Sequence, residues 1–176
     1  AMFSCDNAYF LENVRILSHR CKTNTVSNTA FRGFGGPQGM FGIEYAIEDI
    51  ARHLGKDPLA VRRRNFYGKT ERNVTQYLQT VEDNIIDEIF DQLLASSDYE
   101  SRRAEIRAFN KNSSILKRGI AITPVKFGIS FTNTLLNQAG ALVHVYKDGT
   151  VQLNHGGTEM GQGLYIKVAQ VVADEF

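Results

Sequence analysis

The chain has 176 residues, of which 43% are hydrophobic and 22% charged, and its 20 basic side chains almost balance 19 acidic ones. This length suits one domain or two small ones, and the near-neutral charge argues against a nucleic-acid or anionic-membrane surface as the main function, because both require a basic excess. No apolar run reaches the roughly 20 residues of a membrane span, the N-terminus lacks a signal-peptide pattern, and Cys5 and Cys21 form no CxxC pair, so we expect a soluble, cytoplasmic protein without a disulfide framework or zinc site.

The two ends of the sequence are unusual. The chain begins at Ala1 rather than at a methionine, and it stops at Phe176 within an apolar-periodic run. We therefore expect trimmed ends, a vector-derived Ala1, or a piece excised from a larger protein.

The first two-thirds of the sequence is predicted to contain short strands, a loop and then helices. Loose apolar alternation predicts two short strands within residues 1–20, with a turn near Glu12-Asn13. Cys21–Gln38 is rich in Thr, Ser, Asn and Gly, which is typical of a loop. Helical spacing of apolar residues, supported by Pro37, Gly55 and Asp57-Pro58 as end signals, predicts four helices: Gly39–His53, Asp57–Phe66, Asn84–Ser96 and Tyr99–Asn110.

The last third has strand character. Lys117–Phe131 is rich in Ile, Val and Phe, and the Asp-Gly turn between Gly140–Tyr146 and Thr150–Asn154 predicts a hairpin. A Gly-rich loop, His155–Gly163, then leads into a terminal helix over 164–176. The order of short N-terminal strands, central helices, an antiparallel strand and hairpin region, and a terminal helix predicts an α+β fold.

Two glycine-rich loops, each before a helix, are candidate binding elements. The first, Gly33–Gly39, has neither the spacing of a dinucleotide fingerprint nor that of a P-loop. Its glycines and the helix N-terminus could still receive a ligand, and Arg32 offers donors for a phosphate or a planar polar group. In the second loop, Gln162 can both donate and accept hydrogen bonds. Each loop could equally be a tight turn, but together they favour an elongated polar ligand.

Two phenylalanines, one histidine and one glutamate remain open from the residues alone. Phe34 lies among glycines, where its ring is free to stack on a planar ligand, whereas core packing is favoured for Phe131. His155 and Glu159 could bind a metal only if the Gly-rich segment were helical, so that hypothesis is disfavoured. No catalytic triad or carboxylate pair is evident.

Three motifs in this order closely resemble the xanthine dehydrogenase family, in the molybdenum-binding part of its large subunit. They are Ser27–Gln38, Lys126–Thr132 and Gly156–Gly163, and the likeness covers essentially all 176 residues. The resemblance implies that 1–176 is part of one molybdopterin (molybdenum cofactor)-binding domain, with no separate second domain.

The resemblance also implies an activity and a site. The family oxidises hypoxanthine and xanthine to urate, with electrons passing through [2Fe–2S] clusters and FAD to NAD. The cofactor does the demanding chemistry, while the protein binds and orients. By the resemblance, Phe34 and Phe131 match the two phenylalanines that hold the purine, and Thr132 matches a neighbouring substrate contact. Arg32, Gly161 and Gln162 match contacts to the molybdenum cofactor.

Other parts of the family's machinery are expected outside this chain. The general-base glutamate is expected beyond Phe176, and the substrate-orienting glutamate and arginine before Ala1, so no catalytic residue and no metal ligand is assigned within the chain. No iron–sulfur cysteine cluster or FAD segment is present. We therefore expect an isolated chain without activity, from an oligomeric parent whose iron–sulfur and FAD groups lie on another segment or subunit.

Two alternatives remain at this stage. The first is a fragment of an aldehyde oxidase-type molybdenum hydroxylase, although Gly36 favours the xanthine type because the aldehyde type is expected to carry a bulkier residue there. The second is a non-catalytic structural or subunit-contact module.

Overall fold

The computed structural model describes residues 2–29, 31–128 and 133–176, and it divides into two compact units. Unit 1 is Ala1–Phe127 and unit 2 is Gly128–Phe176. Five α-helices and one two-stranded antiparallel sheet lie in the described ranges, which confirms the α+β class. The elements are α1 (Gly36–His53), α2 (Pro58–Arg64), α3 (Ile86–Ser96), α4 (Tyr99–Asn112), β1 (Ala141–Val145), β2 (Val151–His155) and α5 (Leu164–Ala173), with short 3₁₀ helices at Met2–Ser4 and Thr134–Leu136. Within those ranges, no helix has the length and apolar character needed to cross a bilayer.

The helix end signals read from the sequence work as expected. Helix α1 starts three residues earlier than predicted, at Gly36, with Pro37 in its first turn, where the missing proline N–H costs nothing. Gly55, just after α1, has a left-handed φ of 61°. Asp57 is the N-cap of α2, and its carboxylate accepts a hydrogen bond from the Leu59 N–H at 2.8 Å.

The hairpin prediction is confirmed in unit 2. Strands β1 and β2 pair antiparallel from Ala141–His155 to Val145–Val151. Gly149 takes a φ of 84°, and the Asp148 carboxylate accepts a hydrogen bond from the Thr150 N–H at 2.9 Å. The left-handed glycine lets the chain reverse between the strands.

The other strand predictions are not realised as ladders. Instead of two N-terminal strands, the structure has the Met2–Ser4 3₁₀ helix and a single bridge between Tyr9 and Phe66. The described part of the Lys117–Phe131 strand, 117–128, has no ladder either. Apolar alternation specifies which side chains face a core, but a ladder also requires a neighbouring strand. Residues 129–132 lie outside the described ranges.

The hydrophobic core belongs to unit 1, and all four of its α-helices, together with segments outside them, contribute to it. Phe66 packs edge-to-face on Phe90, with ring centroids 5.1 Å apart, and stacks on Tyr9 at 6.0 Å. The remaining buried members are Ile47, Ala51, Val61, Tyr99 and Ile122. In unit 2, none of the residues that the structure describes is buried.

A buried amide joins the start of the chain to two distant segments. Asn7 is 1% exposed, and its Nδ2 donates hydrogen bonds to Glu44 Oε1 in α1 and to the Pro124 carbonyl, both at 2.9 Å. Its Oδ1 accepts a hydrogen bond from the Lys126 N–H at 3.1 Å. The side chain therefore pairs with residues 124 and 126 as the backbone of a neighbouring strand would.

An ionic network adjoins this amide at Glu44. Arg62 in α2 donates from Nε to Glu44 Oε2 at 2.8 Å and from Nη2 to Glu48 Oε2 at 3.0 Å. Burial, together with a hydrogen bond to Glu44, raises the pKa of Tyr9 well above its ordinary value. The tyrosine therefore remains a neutral donor to that carboxylate at physiological pH.

Replacing Asn7 by Ala should destabilise unit 1 by about 2–3 kcal/mol, because the Pro124 carbonyl and the Lys126 N–H would lose their buried partner. Equilibrium urea denaturation measures this free energy of unfolding. The exposed Asn13 is the matched control, and Asn13→Ala should change the free energy by less than about 0.5 kcal/mol. Equal effects of the two substitutions would contradict the structural role of Asn7.

Candidate functional site

The first glycine-rich loop presents Phe34 at the start of α1. Gly33, Phe34 and Gly35 all have positive φ values, of 93°, 48° and 86°. A Cβ on Gly33 would lie only 2.7 Å from Pro37 Cδ, so this position requires glycine for space as well as for backbone conformation. The resulting turns leave Phe34 68% exposed. A large aromatic ring held outward on a turn can offer its face to a planar ligand.

Polar donors accompany this ring. Helix α1 has no side-chain cap and no acidic residue in its first turn. The exposed Arg32 is paired with no carboxylate in the parts of the chain that the structure describes. An uncapped helix N-terminus and a guanidinium both favour an anionic or electron-rich polar group. The Gly36 N–H is already bonded to the Gly33 carbonyl and Pro37 has no N–H, so the Arg32 guanidinium is the donor that is open to an anionic or electron-rich ligand.

The second glycine-rich loop is closed by its own side chains. Glu159 Oε1 accepts hydrogen bonds from the Gly161 N–H at 2.7 Å and the Gly163 N–H at 3.0 Å, before the start of α5. Gln162 Nε2 donates to the Thr158 carbonyl at 2.8 Å, and its Oε1 accepts from the Met160 N–H at 2.6 Å. The backbone N–H groups of Met160, Gly161 and Gly163 are therefore already bonded within the loop.

These hydrogen bonds change the acidity of Glu159. Desolvation raises the pKa of this carboxyl, but hydrogen bonds from the N–H groups of Gly163, Tyr165 and Gly161 together outweigh it. The net effect lowers the pKa below the ordinary glutamate value. Glu159 is thus an ionised capping residue for α5, a role that sequence reasoning did not assign to it.

The six residues implied by the family resemblance fall into three groups. Arg32 and Phe34 share one loop of unit 1, and Gly161 and Gln162 share one loop of unit 2. Phe131 and Thr132 lie outside the described residues. That all six contribute to one site therefore stays a prediction.

Sequence reasoning missed Phe127 as a neighbour of the first loop. A Cβ built on Gly36 would lie 2.6 Å from Phe127 Cε2, so this ring packs directly against the first turn of α1. Phe127 also lines a cavity of about 260 Å³ in unit 1, beside Tyr67 and residues 81–86. The sequence signal was the second glycine of the Gly35-Gly36 pair, because a buried helical glycine often marks a close approach by another group.

Comparisons with known proteins match most of the chain to one kind of domain. Two family models, both described as "Molybdopterin cofactor-binding domain", match residues 1–66 and 92–176. The chain belongs to these molybdopterin cofactor-binding domains. The resemblance drawn from the three sequence motifs is thereby confirmed.

Curated relatives refine this assignment. The chain is 51% identical to xanthine dehydrogenase of Dictyostelium discoideum over 176 residues and 51% identical to xanthine dehydrogenase 1 of Arabidopsis thaliana over the same length. It is 50% identical to xanthine dehydrogenase/oxidase of Mus musculus over 173 residues, 98% of this chain. In each case the chain spans only 13% of the relative's length.

The Glu159 cap should be lost when the carboxyl is protonated. Since its pKa is lowered in the folded state, the cap is fully formed above the ordinary glutamate pKa of about 4.3 and disappears as the pH falls through the lower folded value. The backbone N–H signals of Gly161 and Gly163, followed by NMR during an acid titration, should therefore shift with a midpoint below about 4.3. Glu159→Gln should abolish this titration, and a midpoint above the ordinary value would contradict the assignment.

Proposed function

We propose that this chain forms part of the active site of a molybdenum hydroxylase of the xanthine dehydrogenase type, which oxidises hypoxanthine and xanthine to urate. The supporting observation is about 50% identity to several xanthine dehydrogenases over essentially the whole chain. The geometry of the first loop is compatible with this role, because it combines an exposed ring with the Arg32 guanidinium, which pairs with no carboxylate in the described ranges. When bound, the molybdenum cofactor supplies the two-electron oxidation of an electrophilic purine carbon.

In this proposal, the first loop binds both the substrate and the cofactor. The Phe34 ring stacks on the purine, which fixes the plane of the heterocycle through quadrupole and dispersion interactions. The Arg32 guanidinium donates hydrogen bonds to polar atoms of the cofactor. No acidic residue in the first turn of α1 competes for this guanidinium. Phe131 and Thr132 complete the substrate contacts by the family match. The chain's contribution is thus orientation and exclusion of water around the reacting carbon.

The second loop is proposed to contact the pterin. Gly161 and Gln162 lie where the chain is held in a fixed conformation by Glu159 and by the Gln162 side chain. A preorganised loop loses little entropy when it meets a ligand. Electron transfer through [2Fe–2S] and FAD to NAD is proposed for other segments or subunits of the parent. Its oligomeric state and its cytoplasmic location stay predictions.

The full-length parent, purified with its cofactors, should contain molybdenum and pterin and should form urate from xanthine. The isolated 176 residues should show no turnover, since the general base is expected outside them. Metal analysis and urate absorbance measure the two properties. Urate formation by the isolated chain would contradict the proposed division of the active site.

Phe34→Ala in the full-length enzyme should lower kcat/KM for xanthine about tenfold, because an aromatic contact of this kind contributes about 1–1.5 kcal/mol. Phe41 is the matched control, since it is an equally exposed phenylalanine on α1 (74%) outside the loop. Phe41→Ala should leave kcat/KM within about twofold of the original value. Steady-state kinetics with xanthine decides between the two outcomes.

A further inference from the structure

We infer that Phe127 is a positioning residue for the Phe34 loop, and that it acts through its contact with Gly36. This inference rests on the proposed function, in which Phe34 binds the purine. The missing side chain at Gly36 leaves just enough space for the Phe127 ring, since a Cβ there would come within 2.6 Å of Cε2 and 3.1 Å of Cδ2. Distances under 3.0 Å do not occur for a real Cβ, so the helix or the ring would have to move.

The backbone that carries Phe127 is fixed, although the ring itself is half exposed (50%). Asn7 binds both the Pro124 carbonyl and the Lys126 N–H. The Lys126 ammonium binds the fully buried carboxylate of Asp6 and lies 3.2 Å from the Tyr77 hydroxyl. Tyr67 donates to the same carboxylate at 2.7 Å. A residue that follows such an anchor directly is held in place up to its Cα, and only its ring can adjust.

Helix α1 is tied to the same anchor further along its length. Glu44, two turns after Gly36, accepts hydrogen bonds from Asn7 and from Arg62. The middle of α1 and the backbone at Lys126 are therefore both hydrogen-bonded to the buried Asn7 side chain. At its first turn, α1 packs on the Phe127 ring, with Ser4 Oγ as the next nearest atom to the Gly36 Cβ position, at 3.6 Å.

A displacement of the first turn of α1 would also move Phe34, because Phe34 is only two residues from Gly36. Between them lies only Gly35, and the turn is closed by the hydrogen bond from the Gly36 N–H to the Gly33 carbonyl at 2.9 Å. Gly36 is buried, whereas the Phe34 ring is exposed. The contact with Phe127 therefore lies on the inner side of the loop, and the ring proposed to face the ligand lies on its outer side. Ring stacking and the alignment of the reacting groups both depend on offsets of about 1 Å. The combined side-chain volume at positions 36 and 127 should therefore affect the affinity for the heterocycle.

A double-mutant cycle in the full-length holoenzyme tests this inference. The variants are Gly36→Ala, Phe127→Leu and the double substitution. Gly36→Ala should raise the KM for xanthine about fivefold or more with a smaller change in kcat, because the loop is displaced while the reacting groups are kept. In the double variant the smaller ring should accommodate the new methyl group, so KM should return to within about twofold of the original value.

Two measurements independent of turnover accompany the kinetics. The dissociation constant of urate, measured by calorimetry, should follow the same order as KM. Crystal structures of the substrate-free variants should show Phe34 displaced in Gly36→Ala and restored in the double variant. Gly42→Ala is the matched control on the same helix, since nothing lies within 4 Å of a Cβ at that position, and it should change neither quantity.

The outcomes separate the inference from the proposed function. If the effects of Gly36→Ala and Phe127→Leu add instead of cancelling, or if Phe34 stays in place in Gly36→Ala, Phe127 is not the positioning residue. If Phe34→Ala leaves xanthine and urate binding unchanged, the purine-binding role of Phe34 fails, and the crystal structures still decide whether Phe127 positions the loop.

Discussion

The side-chain amide of Asn7 is the contact on which the arrangement of unit 1 depends. It binds Glu44 in α1 and the backbone at Pro124 and Lys126, which lie 37 and more than 100 residues away along the chain. A buried amide with all three partners in place contributes stability and also specificity, because any other arrangement would leave polar groups unsatisfied. The two segments that flank the Phe34 loop in space, α1 and residues 124–127, are therefore held by one residue.

Charges extend this junction into the helices. Arg62 is buried, and it is neutralised by Glu44 and Glu48, so that α2 is joined to α1 by ion pairs as well as by the apolar contacts of Ile47, Ala51 and Val61. Removing one partner of such a buried pair would leave the other charge buried without a partner, which is strongly destabilising. This rigid background contrasts with the Phe34 loop, which lies at its surface and carries an exposed ring.

The two glycine-rich loops both precede a helix, but they differ in how side chains interact with the helix start. The loop before α1 has no side-chain cap and leaves Arg32 unpaired with any described carboxylate. In the loop before α5, the Glu159 carboxylate and the Gln162 amide both accept hydrogen bonds from backbone N–H groups of the same loop. The first loop is therefore electrostatically open to a ligand, whereas the second contributes a preformed backbone surface. Similar glycine content thus corresponds to different chemistry.

The helix ends, the hairpin and the family could all be predicted from the residues alone. Pro37, Asp57-Pro58 and Asp148-Gly149 act through local backbone geometry, which a short stretch of sequence specifies completely. The remaining features depend on how the elements pack. The alternation in residues 1–20 and 117–128 predicted strands, but a ladder requires a neighbour that the local pattern cannot provide. The Asn7 junction and the Gly36–Phe127 contact join residues 37 to 119 positions apart, and their geometry depends on how the helices pack, which no local spacing encodes.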